Sequence, residues 1–277
     1  MATALELPAQ SADIFAANRA TGHIVLSVAT STGRTRRERV HEDGSLRVRF
    51  PHEGTDPLEA IFVNTAGGMA GGDRFSIEMK VGREASFVAG TAAAEKIYRS
   101  HGPDTRIDVT LSVADSGSLS WLPQETILFD EARLSRSFEV ALAGKASLLM
   151  AEAVVFGRAA MGETIRHGRL TDRWRVRRDG RLIFADGVRL DGAIDAKLAE
   201  RAATAGGVAV ATILLTPAGE AQVKTVRAQH FAGEVGISAW NGIAVARLVA
   251  ADGATLRRDL MTMLAALDTP LPRLWLN

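Results

Sequence analysis

Phe75-Ser76-Ile77-Glu78-Met79-Lys80-Val81 alternates strictly, with Phe75, Ile77, Met79 and Val81 on one side and Ser76, Glu78 and Lys80 on the other. That period of two is what a strand with one buried face requires. It returns in Ile107-Asp108-Val109-Thr110-Leu111-Ser112-Val113, and again in Phe138, Val140 and Leu142. Shorter runs over 23–30, 46–50, 58–63, 85–89, 119–122, 146–156, 173–177 and 182–184 complete a mostly-β pattern, with Asp179-Gly180 as the turn between the last two. Helices do not alternate with these strands, which excludes a doubly wound α/β fold. Helical periodicity comes late. Thr216-Pro217 reads as N-cap and first position of a helix over 220–231, and Leu256, Leu260, Met263, Leu264 and Leu267 form the apolar stripe of a second. Between them Val235–Trp240 and Ile243–Ala250 flank Asn241-Gly242, a strong hairpin signal. The expectation is a mostly-β body with two α-helices in the C-terminal third. No repeat of fixed period and no low-complexity linker divides it, so one domain over 19–277 follows a flexible segment over 1–18.

Composition narrows the function classes. The 277 residues are 47% hydrophobic and 23% charged, carry a formal net charge of +1, and include no cysteine. Disulfides, thiolate metal sites, iron–sulfur clusters and a Cys nucleophile are thereby excluded. The opening MATALELPAQ has no basic n-region or apolar h-segment, and the longest apolar run, Gly207–Leu215, is too short to span a bilayer. A cytoplasmic protein without membrane or nucleic-acid partners is expected. Arginine outnumbers lysine heavily, which fits either a GC-rich genome or a surface that grips carboxylates. The runs Arg34–Arg39 and Arg173–Arg178 read as solvated strand faces or protein interfaces rather than RNA surfaces, since Trp174 and Val176 alternate inward.

Candidate chemistry is sparse. His23, His41, His52, His101, His167 and His230 show no spacing that places two imidazoles on one metal, so no tight metal site is expected. The loop Asn64–Phe75 (NTAGGMAGGDRF) carries Gly67, Gly68, Gly71 and Gly72 before Asp73. It lacks the P-loop and dinucleotide patterns and reads as a tight turn or as close approach of another backbone. Carboxylates in apolar surroundings are more informative, because an ionised group there must be paired or hydrated. Glu125 and Asp130 bracket an apolar tetrapeptide, Glu152 interrupts Leu148–Phe156, and Glu163 follows a Gly-rich turn. Arg133, Arg136 and Arg158 are near enough in sequence to pair with them; alternatively the acids line a wet polar path.

Four strings, Asn64–Phe75, Ala94–Ser100 (AEKIYRS), Trp121–Asp130 (WLPQETILFD) and Phe156–Glu163 (FGRAAMGE), with the closing Leu271-Pro272-Arg273-Leu274-Trp275, resemble in order and spacing the urease accessory protein UreD (UreH) family. The resemblance implies a short, distorted β-helix carrying two helices and a non-enzymatic maturation factor for a nickel enzyme. It also implies partners: apo-urease, UreF, and through UreF the GTPase UreG. No cofactor of its own is implied; nickel is in transit through an internal tunnel. Asp73, Glu125, Asp130, Glu152 and Glu163 are then candidates for the nickel path, with Gly67–Asp73 as structure near it. Lys96, Tyr98, Arg99, Arg133 and Arg158 are candidates for partner contact. Reading the carboxylates as an acid–base pair instead gives the alternative, a β-helical or sandwich enzyme acting on a polar substrate.

Overall fold

A computed structural model describes residues 18–52, 56–158, 161–269 and 271–275. The expected flexible segment 1–18 lies outside these residues except for Asn18. The chain starts on β1 (Thr21–Ser31), folds back along β2 (Arg34–Gly44), and crosses to a second sheet in β3 (Leu46–Arg49) and β4 (Leu58–Asn64). A coil then repeats. β5 (Arg74–Val81) runs in the first sheet, β6 (Ser86–Thr91) in the second, and the short β7 (Glu95–Ile97) along a third side; β8 (Thr105–Val113), β9 (Ser118–Trp121) and β10 (Thr126–Leu128) trace the same path above them. β11 (Arg133–Leu142) and β12 (Ser147–Phe156) follow, and β12 takes the third side itself by pairing its end with β10. β13 (His167–Arg178) and its antiparallel return β14 (Arg181–Ala193) finish the first sheet. The result is a β-helix of about four turns, the architecture expected.

Sheet order is β14-β13-β11-β8-β5-β1-β2 in the first sheet. In the second it is β16-β17-β15-β12-β9-β6-β4-β3, where β15 is Ala209–Thr216, β16 Glu234–Trp240 and β17 Ile243–Ala250. Stacked coils are parallel, with Arg74 beside Arg106, Thr105 beside Leu134 and Arg133 beside Arg169. The backbone path therefore repeats although the sequence does not. Each coil needs only the inward phase of its strands and a turn at each corner, so residue identities are free to drift.

Alternation becomes burial directly. Phe75, Ile77, Met79 and Val81 meet Leu119, Phe87 and Leu148 of the opposite sheet in one core inside the coils. A second core lies on the outer face of the second sheet, under α2 (Glu220–Arg227) and α3 (Gly253–Ala266). Those two are preceded by a short helix, α1 (Ile194–Ala199), which the sequence did not signal: the described residues of the C-terminal third hold three α-helices. The N-terminus of α2 also differs from expectation. Thr216 closes β15, its hydroxyl donating to the Gly242 carbonyl at 3.1 Å. Gly219 is the cap, and its amide donates to Gln222 Oε1 at 2.9 Å. The helix ends at Arg227 rather than Phe231. α3, whose apolar stripe the sequence showed without its start, is capped by Asp252, whose Oδ1 accepts from the Thr255 amide at 2.8 Å. Asn241-Gly242 and Asp179-Gly180 both adopt paired positive φ, the backbone of the tight hairpin turn. No helix among the described residues is long and apolar enough to cross a membrane.

Candidate functional site

Three charged side chains meet inside the coils. Arg136 stands on β11 in the inward phase of Leu134, Phe138 and Val140, Glu152 on β12, and Asp172 on β13 in the inward phase of Leu170 and Trp174. Arg136 Nη1 donates to Glu152 Oε2 at 2.5 Å and to Thr126 Oγ1 at 3.3 Å, and Nη2 donates to Asp172 Oδ2 at 2.5 Å. Trp121 Nε1 supplies Glu152 Oε1 at 2.7 Å, and Trp174 Nε1 supplies Asp172 Oδ1 at 3.2 Å. Arg136 and Glu152 are only 4% and 5% exposed, so the cluster sits in low dielectric, where an unpaired charge costs several kcal/mol. Burial pushes the Glu152 carboxyl above its ordinary range despite the pull of Arg136 and the Trp121 bond. Burial also opposes the Arg136 charge, but Asp172 and Glu152 more than offset it, so the guanidinium stays ionised.

Two cavities meet at this cluster. One, of about 60 Å³, reaches from Asn64, Glu95 and Gln124 inward past Thr126 to Arg136 and Glu152. The other, of about 50 Å³, begins at the same two residues and runs past Asp172 to Asp186 and Thr212. Each has room for a few water molecules and polar partners to hold them. At the first mouth, burial raises the Glu95 carboxyl, opposed by the Asn64 amide that donates to it at 3.1 Å. At the other, Asp186 accepts from the half-exposed Arg247 at 2.6 Å, and Arg247 also bonds Thr212. A row of oxygen-bearing side chains thus crosses an otherwise apolar body.

Of the five carboxylates picked out by sequence, Glu152 lies on this row, paired with Arg136 as the pairing alternative required. The other four lie elsewhere. Asp73 accepts from the amides of Ala20 at 2.9 Å and Ala70 at 2.7 Å, tying the glycine loop to the start of β1. Glu125 is half-buried, 3.8 Å from Arg257. Glu163 pairs with Arg158 at 2.6 Å, again as the pairing alternative holds, while Arg133 pairs with Asp104 instead. Asp130 accepts from the amides of Arg166 at 2.7 Å and His167 at 3.1 Å. Burial raises the Asp130 carboxyl, but these backbone donors outweigh it and hold it below the ordinary range. A depressed native pKa means the stabilisation is present above the unfolded-state value and is lost as pH falls through the native one. Urea unfolding at pH 7 is therefore expected to show Asp130→Asn less stable than the parent, with the gap closing as pH drops below 4.

The glycine loop is a close approach. A Cβ on Gly68 would stand 2.4 Å from the Tyr98 ring, and one on Gly71 would stand 2.6 Å from the Pro103 carbonyl. Gly67, Gly68 and Gly72 have positive φ. Tyr98, 37% exposed, donates to the Gly67 carbonyl at 3.1 Å and packs edge-on against Phe129, over whose ring Arg158 stacks at 4.1 Å. Lys96 is exposed beside them, and Arg99 pairs with Glu131 at 2.8 Å. Tyr98, Arg158 and Glu163 thus share one surface cluster on the third side of the coils, next to Gly67 and Gly68. Sequence reading missed Asp172, Glu95 and Asp186 as members of the interior row, and took Arg136 only as a pairing partner. For Arg136 and Asp172 the signal was available: a charge standing in the inward phase of an alternating strand. Among the described residues no group of three or more His, Asp or Glu side chains is placed to hold a metal ion.

Residues 20–276 match the family model described as UreD urease accessory protein. The Urease accessory protein UreD of Rhodopseudomonas palustris strain BisB5 is 56% identical over 275 residues, covering 98% of this chain and 97% of its own. That of strain BisA53 is 56% identical over 266 residues, covering 95% and 93%. The protein of the same name from Bradyrhizobium diazoefficiens is 53% identical over 269 residues, covering 96% and 98%.

Proposed function

Since the chain belongs to the UreD family of urease accessory proteins, we propose that it binds apo-urease as a non-catalytic scaffold, recruits UreF and through it the GTPase UreG, and passes nickel along its polar interior. The observation that carries the conduit is the row of oxygen ligands from Glu95 through Thr126, Glu152 and Asp172 to Asp186, flanked by two cavities inside an apolar body. Ni²⁺ binds imidazole and thiolate avidly, so a path lined with them would retain the ion. Carboxylate, hydroxyl and water hold it weakly enough to let it move on, and the chain has no cysteine. Scaffold and conduit are separable. A tagged chain co-expressed with apo-urease and UreF is expected to retain both, and losing both would sink the scaffold. Glu152→Gln, which keeps side-chain shape, is expected to preserve that complex while lowering the nickel content of urease several-fold. Asp130→Asn and Glu163→Gln, off the row, serve as comparisons. Unchanged nickel content in Glu152→Gln would leave the scaffold standing and remove the conduit.

A further inference from the structure

The wall shared by the two cavities consists of Arg136 and Glu152. The guanidinium uses Nη1 and Nη2 on Glu152, Thr126 and Asp172, while its Nε finds no hydrogen-bond partner among the described residues. Leaving a buried N–H unsatisfied costs about 1–3 kcal/mol, and a side chain serving only stability would be expected to avoid it. Two carboxyl groups also face one guanidinium, which can balance only one of them. A dication in the same seat would neutralise both, whereas a monovalent ion offers no gain over the arginine already there. The cavity of about 50 Å³ on the far side, lined also by Asp186, gives the guanidinium somewhere to move.

We propose that Arg136 is an internal latch: its guanidinium occupies the seat between Glu152 and Asp172 that a divalent cation takes on passing from one cavity to the other, so passage selects cations able to displace it. The inference rests on the conduit reading and adds what closes the path and what opens it. Arg136 acts here as a positioning residue, holding two carboxylates facing one point and keeping that point filled until the ion arrives. The same competition keeps the ion's stay short, because the tethered guanidinium is always at hand to retake the seat.

The test is Ni²⁺ binding to the purified full chain by equilibrium dialysis. Arg136→Gln removes the competing charge and is expected to bind Ni²⁺ at least about tenfold more tightly than the parent, a change of about 1.4 kcal/mol or more. Adding Glu152→Gln is expected to abolish the gain, and Arg136→Lys, which keeps a competing cation, to remain near the parent. A purely structural arginine would give no gain in affinity. Equal affinity in Arg136→Gln, or a gain that survives Glu152→Gln, overturns the latch. If Arg136→Gln does not fold, the parent itself supplies the readout. Trp121 and Trp174 hydrogen-bond the two carboxylates, so paramagnetic Ni²⁺ in the seat is expected to quench their fluorescence saturably, and Glu152→Gln to leave only linear collisional quenching. Linear quenching in the parent overturns the proposal equally. Failure here while Glu152→Gln still lowers urease nickel would leave a conduit without a latch.

Discussion

Glu152→Ala is expected to cost about 3–5 kcal/mol of folding stability, enough to unfold a marginal protein. The loss has three sources. Arg136 remains buried with Asp172 as its one carboxylate, Trp121 Nε1 loses its acceptor, and a void opens between the two cavities. Glu152→Gln is expected to cost roughly half as much, because its amide oxygen still accepts one bond and its volume is kept. Urea unfolding of parent and both variants at pH 7 checks the ranking. A loss below about 1 kcal/mol in the alanine variant would mean that water reaches Arg136 and replaces the carboxylate, contrary to the burial described.

Trp275→Ala is expected to cost a similar amount, about 3–5 kcal/mol, for a different reason. The indole is 4% exposed in the second core with Leu256 and Leu260, and its Nε1 donates to the Leu122 carbonyl at 3.0 Å. Arg257 stacks on the ring at 5.4 Å, donates to the Trp275 carbonyl at 3.1 Å, and bonds Gln124 Oε1 at 2.5 Å. Truncation therefore empties a core position and also releases the ties between 271–275, α3 and the coil at Leu122–Gln124. Trp275→Phe keeps most of the apolar area and loses the Leu122 bond, so about 1–2 kcal/mol is expected. Thermal unfolding separates the two variants by several degrees. Comparable losses for both would mean that the hydrogen bond, not the packing, dominates.

Sequence carried the strands and their inward faces because alternation is a local property. It could not carry the coil, since Arg74 and Arg106 become neighbours only after a full circuit; the β-helix came from resemblance. α1 was missed because six residues hold less than two turns of periodicity, and its cap residue Ala193 offers no side-chain bond. α2 was misplaced because Thr216-Pro217 mimics a helix start while serving as a strand end. The interior cluster was partly legible. Glu152 stands out in an apolar run, whereas Arg136 and Asp172 are camouflaged by Arg133, Ser135, Ser137, Arg173 and Arg175, polar neighbours that face outward. Glu95 lies in a strand of three residues, too short to show a phase.

At the β2 end of the first sheet, Arg34, Arg36, Arg37 and Arg39 line the outermost strand, and the β1–β2 register slips between Ser27 and Val28. An open edge strand offers its backbone to any further strand, including that of another copy, and so invites endless growth into fibres. With Glu38, Glu42 and Asp43 among them, these arginines make a densely charged edge that disfavours such an addition, and the irregular register spoils its alignment. The arginine excess that composition left divided between genome and surface thus has a place in keeping a stack of coils finite.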